Sequence, residues 1–383
     1  MLIGPSAALL LAEAGLRSGD ISFPSFYIVD EYRGNALRPG AEGWWRSEGE
    51  AYIKINSDGL RDREHSKNKP ANTLRIAVLG DSYAEALQVS TENAFWSVLE
   101  KRLQPCPTLA GRNIEVINFG VSGHGTAQEL LTLRYHAWAY SPDIILLAFT
   151  AANDVRNNSV ALEPDRMRPF FIYRDRELVL DLSFRDSKGY RFRRSTFGKT
   201  IYLMSDSSRI LQAINYVKNT RSIDTRVNRQ KGMGPARASK ELGLDNMVFC
   251  EPKDQSWREA WDITERLMIL MNTEIAEKGA KFLLVTLSSG IQAHPDSAVR
   301  QAFMKQLNIT DLFYPDLRVK ALCERENIVG LNLAHTFQAY AQQHNIFLHG
   351  FGSYQGTGHW NTKGHQLAGE IIAQKICEII PSP

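Results

Sequence analysis

A serine stands where a buried strand is predicted to turn into a helix. Leu74 to Leu79 is a short apolar run, and Gly80-Asp81-Ser82 follows it directly. A side chain at such a turn projects outward, and the backbone amides at the helix start lie near its hydroxyl. This placement suits a nucleophile whose attack creates an oxyanion that needs nearby donors. The alternative is that Ser82 only caps the helix, which is a common role of serine.

A nucleophilic serine needs a base, and His359 is the best placed histidine. It lies in Gly-Thr-Gly-His-Trp-Asn-Thr-Lys-Gly-His, the loop before the last predicted helix. His365 falls inside that helix, where packing or capping is expected, and His124 lies in a turn where it could touch substrate. His349, His359 and His365 do not have the spacing of metal ligands. We therefore predict no metal site. The sequence has no nucleotide-binding loop or other cofactor motif, so we predict no cofactor.

Two further turns offer donors for an oxyanion. Gly123, in Gly120-Val-Ser-Gly-His-Gly125, lets a backbone amide approach a ligand without side-chain obstruction. Asn153, in Thr-Ala-Ala-Asn-Asp154, offers a side-chain amide at the end of another apolar run. Together with the backbone amide of Ser82, they would form an oxyanion hole. A purely structural role in each turn is the alternative.

The elements that carry these residues alternate between strand and helix. Five short apolar runs are predicted as strands: Leu74 to Leu79, Ile114 to Phe119, Asp143 to Phe149, Phe282 to Leu287 and Ile328 to Leu333. Helical periods between and after them include Ala127 to Trp138, Ala260 to Glu277, Asp316 to Glu326 and Lys363 to Ile380. This alternation predicts a five-stranded parallel sheet covered by helices on both faces. Ligands bind such sheets at the carboxyl ends of the strands, where the motifs converge.

Two segments lie outside this pattern. Residues 1–72 are predicted to form an apolar helix and an extended arm, and residues 73–383 the main domain, with an insertion at about 155–254. Residues 161–240 carry 18 Lys+Arg against 8 Asp+Glu. The insertion is predicted to contain a hairpin around Arg174 to Glu177. It is either a solvated basic flap or a lid that attracts an anionic substrate, polymer or membrane surface.

The net charge, the cysteines and the N-terminal segment give information about the binding partners and the cellular location of the protein. The net charge of the chain is only +3, which does not indicate a nucleic-acid binder. The four cysteines are either buried free thiols or, in an exported chain, disulfides. Met1 to Leu16 is apolar but shorter than the roughly 20 residues that span a bilayer. It is an ordinary packed helix or the remainder of an anchor or signal sequence. Membrane association or export to a bacterial envelope is one expectation, and a cytoplasmic location the other.

Four blocks of the chain resemble the SGNH, or GDSL, hydrolase family of serine esterases. They are Gly80-Asp-Ser82, Asn118-Phe-Gly-Val-Ser-Gly123, Asn153-Asp154 and His359-Trp-Asn-Thr-Lys-Gly364. The resemblance covers roughly 74–160 and 260–380. It implies a three-layer α/β/α sandwich of the flavodoxin-like type. It also implies that Ser82 is the nucleophile, that His359 is the base, and that Ser82, Gly123 and Asn153 hold the oxyanion.

One departure concerns the acid that should orient the base. The family places an aspartate three residues before the histidine, and here that position is Gly356. In a serine protease the loss of this acid costs roughly 3 × 10⁴ in rate, so catalysis can survive without it. A backbone carbonyl, or a carboxylate from elsewhere such as Glu85 or Asp154, would then hold the imidazole.

Three functions follow from these residues. The preferred one is hydrolysis of an acyl ester, on a small molecule or a carbohydrate, through an acyl-Ser82 intermediate. The second is transfer of the acyl group to envelope carbohydrate, which uses the same residues with a sugar hydroxyl in place of water. The third is a noncatalytic carbohydrate-binding relative, which Gly356 favours.

Overall fold

The computed structural model of the protein describes residues 3–218 and 242–380. Eleven strands lie in this part of the chain: β1 Tyr27–Asp30, β2 Gly34–Leu37, β3 Glu42–Trp45, β4 Ala51–Lys54, β5 Thr73–Gly80, β6 Asn113–Asn118, β7 Ile144–Phe149, β8 Phe170–Arg174, β9 Glu177–Asp181, β10 Lys281–Thr286 and β11 Val329–Asn332.

Helices connect and flank these strands. They are α1 Ile3–Ser18, α2 Ser82–Glu85, α3 Phe95–Leu103, α4 Thr126–Tyr135, α5 Ala151–Asn157, α6 Lys188–Arg194, α7 Thr196–Ser207, α8 at 209–218, α9 Gln255–Glu277, α10 Ser297–Leu307, α11 Tyr314–Arg325, α12 Ala334–His344 and α13 Thr362–Ile379.

The central sheet has five parallel strands in the order β11-β10-β7-β5-β6. Numbered along the chain, this is the flavodoxin-like order 2-1-3-4-5. Every residue of β5 and β7 is buried, as expected for strands covered on both faces. One core contains Leu130 and Leu267 on one face of the sheet, and a second contains Phe95 and Ile372 on the other. The predicted α/β/α architecture is confirmed.

The arm before the sheet folds into two antiparallel hairpins, β1-β2 and β3-β4. A small apolar cluster joins it to the main sheet: Ile53 and Phe26 from the arm pack with Leu87 and Val121. The buried guanidinium of Arg61 also donates to the carbonyl oxygens of Glu85 and Val89. The arm therefore lies against the loops that follow β5 and β6.

The insertion contains the predicted hairpin. β8 and β9 are antiparallel, and Arg174 pairs with Glu177 across a two-residue turn. Both turn residues, Asp175 and Arg176, have positive φ, as this kind of tight turn requires. The insertion continues through α6 to α8, and residues 219–241 lie outside the described residues.

Two of the cysteines form a disulfide rather than staying as free thiols. Cys106, after α3, is bonded to Cys377, near the end of α13, across 271 residues of sequence. Cys250 and Cys323 are buried free thiols, as the other sequence interpretation expected. Helix α3 packs directly against α13, so the bridge links two helices that already touch.

Candidate active site

Ser82 begins the short helix that follows β5. The carboxylate of Asp81 caps this helix by accepting a hydrogen bond from the backbone N–H of Tyr83, at 2.9 Å. The cap is therefore the aspartate, and the alternative role of Ser82 as the cap does not hold. The Ser82 hydroxyl instead bonds to the imidazole of His359, with 2.7 Å between Oγ and Nε2.

The carboxylate of Glu48 contacts the opposite side of the His359 imidazole. Oε2 of Glu48 lies 2.5 Å from Nδ1, and Oε1 accepts the backbone N–H of His359 at 2.7 Å. A carboxylate can only accept here, so Nδ1 carries the proton and Nε2 is left to accept from Ser82. Burial alone would raise the pKa of Glu48, but the hydrogen bond and charge of His359 lower it below its ordinary value. Glu48 is therefore ionised at neutral pH.

Glu48 comes from the tip of the β3-β4 hairpin in the arm. Its carbonyl accepts from the indole N–H of Trp45 at 3.0 Å, which closes the tip. The next residue, Gly49, has φ +67° and lies so close to Gln88 that a Cβ would be 2.3 Å from its carbonyl oxygen. Only glycine fits this contact, and it seats the hairpin tip against the loop after α2. Sequence reasoning missed Glu48, and the absent acid at Gly356 was the only sign that another carboxylate was needed.

The position where an aspartate was expected has no room for one. Gly356 has φ +83°, and a Cβ there would lie 2.8 Å from the ring of His294 and 3.0 Å from Phe347. Of the two carboxylates considered from sequence, Glu85 accepts from the hydroxyl of Tyr27, at 2.9 Å. Asp154 accepts from the backbone of Thr150, at 2.8 Å. The carboxylate at the imidazole is Glu48.

Aromatic and backbone contacts hold the loop that carries His359. The ring of Tyr83 lies 5.0 Å from the imidazole of His359 between centroids, and its hydroxyl donates to the carbonyl of Gly358 at 3.1 Å. That carbonyl is also 2.9 Å from Nδ1 of His349. Burial lowers the pKa of His349 to about 4, so this second imidazole is neutral and can take part in the packing.

Asn153 lines the same cleft as Ser82. Its Nδ2 donates to Oδ2 of Asp81 at 3.0 Å, and because a carboxylate only accepts, this contact fixes which way the amide points. One of the two Nδ2 hydrogens is used there, which leaves the other for a ligand. Asp81 is fully buried and also accepts from Thr150 at 3.2 Å. The aspartate thus links the turn of Ser82 to that of Asn153.

Ser82, Asn153 and His359 share one small cleft at the carboxyl edge of the sheet. Its volume is about 50 Å³, and Leu244 and Gly290 line its other sides. One water molecule needs roughly 10–15 Å³ of cavity volume. The cleft therefore has room for only a few non-hydrogen atoms. A short acyl group fits this space.

The other residues singled out from sequence lie around this cleft. Gly123 has φ +75° and is exposed at the same edge, but it is not among the residues that line the cleft. His124 is fully buried, with Nε2 at 3.2 Å from the carbonyl oxygen of Asn35, so the expected substrate contact is wrong. His365 is a packing residue, as expected, and its Nδ1 accepts from the backbone of Phe95.

Beneath Ser82 lie three buried carboxyl groups, those of Asp81, Glu129 and Asp154. Burial, and after it the charge of Asp81, raises the pKa of Glu129 well above its ordinary value. Burial and the charges of Glu129 and Asp81 raise that of Asp154 in the same way. Neither oxygen of Glu129 has a hydrogen-bond partner. Burial therefore favours the protonated form of Glu129 in the folded protein.

The burial of Glu129 predicts that the free energy of unfolding of the protein falls as pH rises. The unfolded chain loses the Glu129 proton near pH 4.3 and the folded protein only at a much higher pH, so folding becomes less favourable above about pH 4.5. Glu129→Gln should flatten this dependence and raise the free energy of unfolding by at least about 1 kcal/mol near pH 8. Urea unfolding at about pH 5 and pH 8 measures it.

The matched control is Glu277→Gln, an exposed residue at the end of α9, which should keep the wild-type slope. Equal slopes for the Glu129 variant and the wild type would show that Glu129 is already ionised in the folded protein.

Fold and site together define a flavodoxin-like α/β protein with a serine, histidine and glutamate in line at the carboxyl edge of its sheet. No family model and no curated protein matches the chain. Among solved structures it is similar to the acetyl xylan esterase AlAXEase, at 12% identity and a TM-score of 0.38 over 80% of this chain and 100% of that one.

The similar solved structures also include the following two. A putative lipolytic protein of the G-D-S-L family from Desulfitobacterium hafniense is 12% identical, with a TM-score of 0.36 over 79% of this chain and 98% of that one. The acetylxylan esterase Axe2 from Geobacillus stearothermophilus is 12% identical, with a TM-score of 0.38 over 79% and 94%.

Proposed function

We propose that the protein hydrolyses short-chain carboxylic esters through an acyl-Ser82 intermediate. The observation that carries this proposal is the continuous hydrogen-bonded line from Glu48 through His359 to Ser82. A serine hydroxyl whose proton has a positioned acceptor, itself oriented by a carboxylate, has the arrangement of an activated nucleophile.

The reaction follows from these contacts. His359 Nε2 takes the hydroxyl proton as Ser82 Oγ bonds to the acyl carbon, and Glu48 stabilises the imidazolium that forms. Donors from Ser82 and Asn153, which line the cleft, hold the oxyanion, while Gly123 lies outside the cleft lining. When the C–O bond breaks, His359 returns the proton to the leaving alcohol. Water then attacks the acyl carbon as His359 takes its proton, and when the bond to Oγ breaks His359 returns that proton to Ser82 and the acid is released.

Access and cleft size favour this function over the two alternatives. The side chains of His359 and Glu48 are 23% and 27% exposed, so water can reach the acyl-serine. The cleft around Ser82 is small, which favours acetyl and similar groups. The reason to expect a noncatalytic protein was the missing acid at Gly356, and Glu48 removes that reason.

A fluorophosphonate probe tests the activated serine directly. The probe should label the wild-type protein at Ser82, identified by mass spectrometry of the modified peptide, because covalent capture needs a deprotonated hydroxyl. His359→Ala should reduce the labelling rate by at least about a hundredfold. The same preparation should hydrolyse p-nitrophenyl acetate faster than the octanoate ester. An absence of labelling at Ser82 in folded protein would refute the proposal.

A further inference from the structure

In the described part of the chain, helix α1 has a run of exposed leucines. Leu9, Leu10 and Leu11 are 58%, 72% and 75% exposed. Successive residues of a helix point about 100° apart, so these three cover more than half of its circumference. A helix that is apolar around most of its surface is normally buried in a protein core or in lipid. Helix α1 therefore presents a surface that needs an apolar neighbour.

The helices of the insertion carry further exposed apolar side chains. Phe197, Leu203 and Met204 of α7 are each at least 60% exposed. Further exposed apolar side chains on α6 to α8 are Phe192, Ile201, Leu211, Ile214 and Val217. We name the exposed apolar side chains of α1 and α6 to α8 the apolar helical face.

Specific contacts join these helices into one unit. The carboxylate of Glu13 in α1 accepts from the backbone N–H groups of Arg209 and Ile210, at 3.0 and 3.1 Å, at the start of α8. The backbone amides of Arg209 and Ile210 lower the pKa of Glu13 to about 2, so the contact is made by a carboxylate at neutral pH. Arg17 donates to the carbonyl of Ser207 at 2.7 Å. Helix α1 is thus fixed at the junction of α7 and α8.

The charge of this unit is positive. Residues 188–218 carry seven Lys or Arg and one acidic residue. That residue, Asp206, forms an ion pair with Arg38 at 2.6 Å. The seven basic residues are Lys188, Arg191, Arg193, Arg194, Lys199, Arg209 and Lys218. Large apolar side chains among Lys and Arg are typical of helices that lie in the interface of an anionic membrane.

We propose that the apolar helical face docks on the surface of an anionic lipid bilayer. The apolar side chains enter the acyl region while the Lys and Arg side chains extend to the lipid headgroups. A second copy of the chain would place one basic surface against another, and an anionic polysaccharide would leave the leucines in water. Over residues 3–218 and 242–380, no helix is long and apolar enough to cross a membrane.

Vesicle sedimentation of the full chain tests this proposal. The protein should pellet with phosphatidylcholine vesicles containing about one third phosphatidylglycerol, and about tenfold less with phosphatidylcholine alone. Leu9→Gln, Leu10→Gln and Leu11→Gln together should lower the bound fraction about tenfold. Arg193→Glu with Lys199→Glu should remove the preference for the anionic vesicles.

The matched control is Leu317→Gln on α11, an exposed leucine (52%) outside this face, which should bind as the wild type does. Circular dichroism and the unfolding midpoint show that each variant is folded. The proposal is overturned if the wild type does not pellet with anionic vesicles, or if the leucine variants pellet unchanged. It is also overturned if only a soluble polyanion is bound, or if light scattering shows that the leucines support a dimer instead.

Discussion

Replacing Ser82 by alanine is expected to lower kcat/KM for p-nitrophenyl acetate by roughly 10⁶-fold, because it removes the hydroxyl that bonds to the His359 imidazole. The fold should persist, since the Ser82 side chain does not cap its helix and Asp81 keeps that role. Initial rates with purified protein, compared with the uncatalysed rate, provide the measurement. Ser90→Ala is the control: this partly exposed serine accepts from Asn93 and should stay within about twofold of wild type.

The same reasoning predicts that Ser82 and His359 act as a unit. His359→Ala should cost nearly as much as Ser82→Ala, and the double variant should be no slower than either alone. Additive losses would mean that the two residues act in separate steps. A Ser82 variant that keeps more than about one hundredth of the wild-type rate would show that another residue is the nucleophile.

Much of this site could be predicted from local sequence. Ser82 and Asn153 each follow an apolar strand closely, and His359 precedes the last helix. In a parallel sheet the carboxyl ends of strands share one edge, so strand prediction alone brings the turns of Ser82 and Asn153 together. The two turns meet through Asp81, whose carboxylate receives the amide of Asn153.

The acid could not be predicted in this way, because its position depends on packing between distant segments. Glu48 lies 311 residues before His359, at a hairpin tip without a catalytic motif. It reaches the imidazole because Ile53 and Leu87 pack in one cluster and because Gly49 touches Gln88. Such contacts leave no periodic pattern in the sequence. Gly356 showed that the aspartate usual at this position is missing. It did not show which carboxylate takes the role of that aspartate.

Glu48→Gln is expected to lower kcat by roughly 10⁴-fold and leave KM nearly unchanged, since Glu48 contacts the base rather than the cleft. The amide cannot stabilise the imidazolium, and it can donate to Nδ1, which favours the wrong tautomer. The loss is smaller than that for Ser82 because the nucleophile and base remain. Steady-state rates against substrate concentration separate kcat from KM.

The control for this variant is Glu50→Gln in the same hairpin tip, whose side chain is 61% exposed and lies 3.5 Å from Arg46. It should keep the wild-type rate, which shows that a charge near the site is not enough. Adding Gly356→Asp to Glu48→Gln should restore nothing, because position 356 has a positive φ and faces the ring of His294. If Glu48→Gln stays within about tenfold of wild type, the carboxylate does not assist the base, and the backbone alone orients His359.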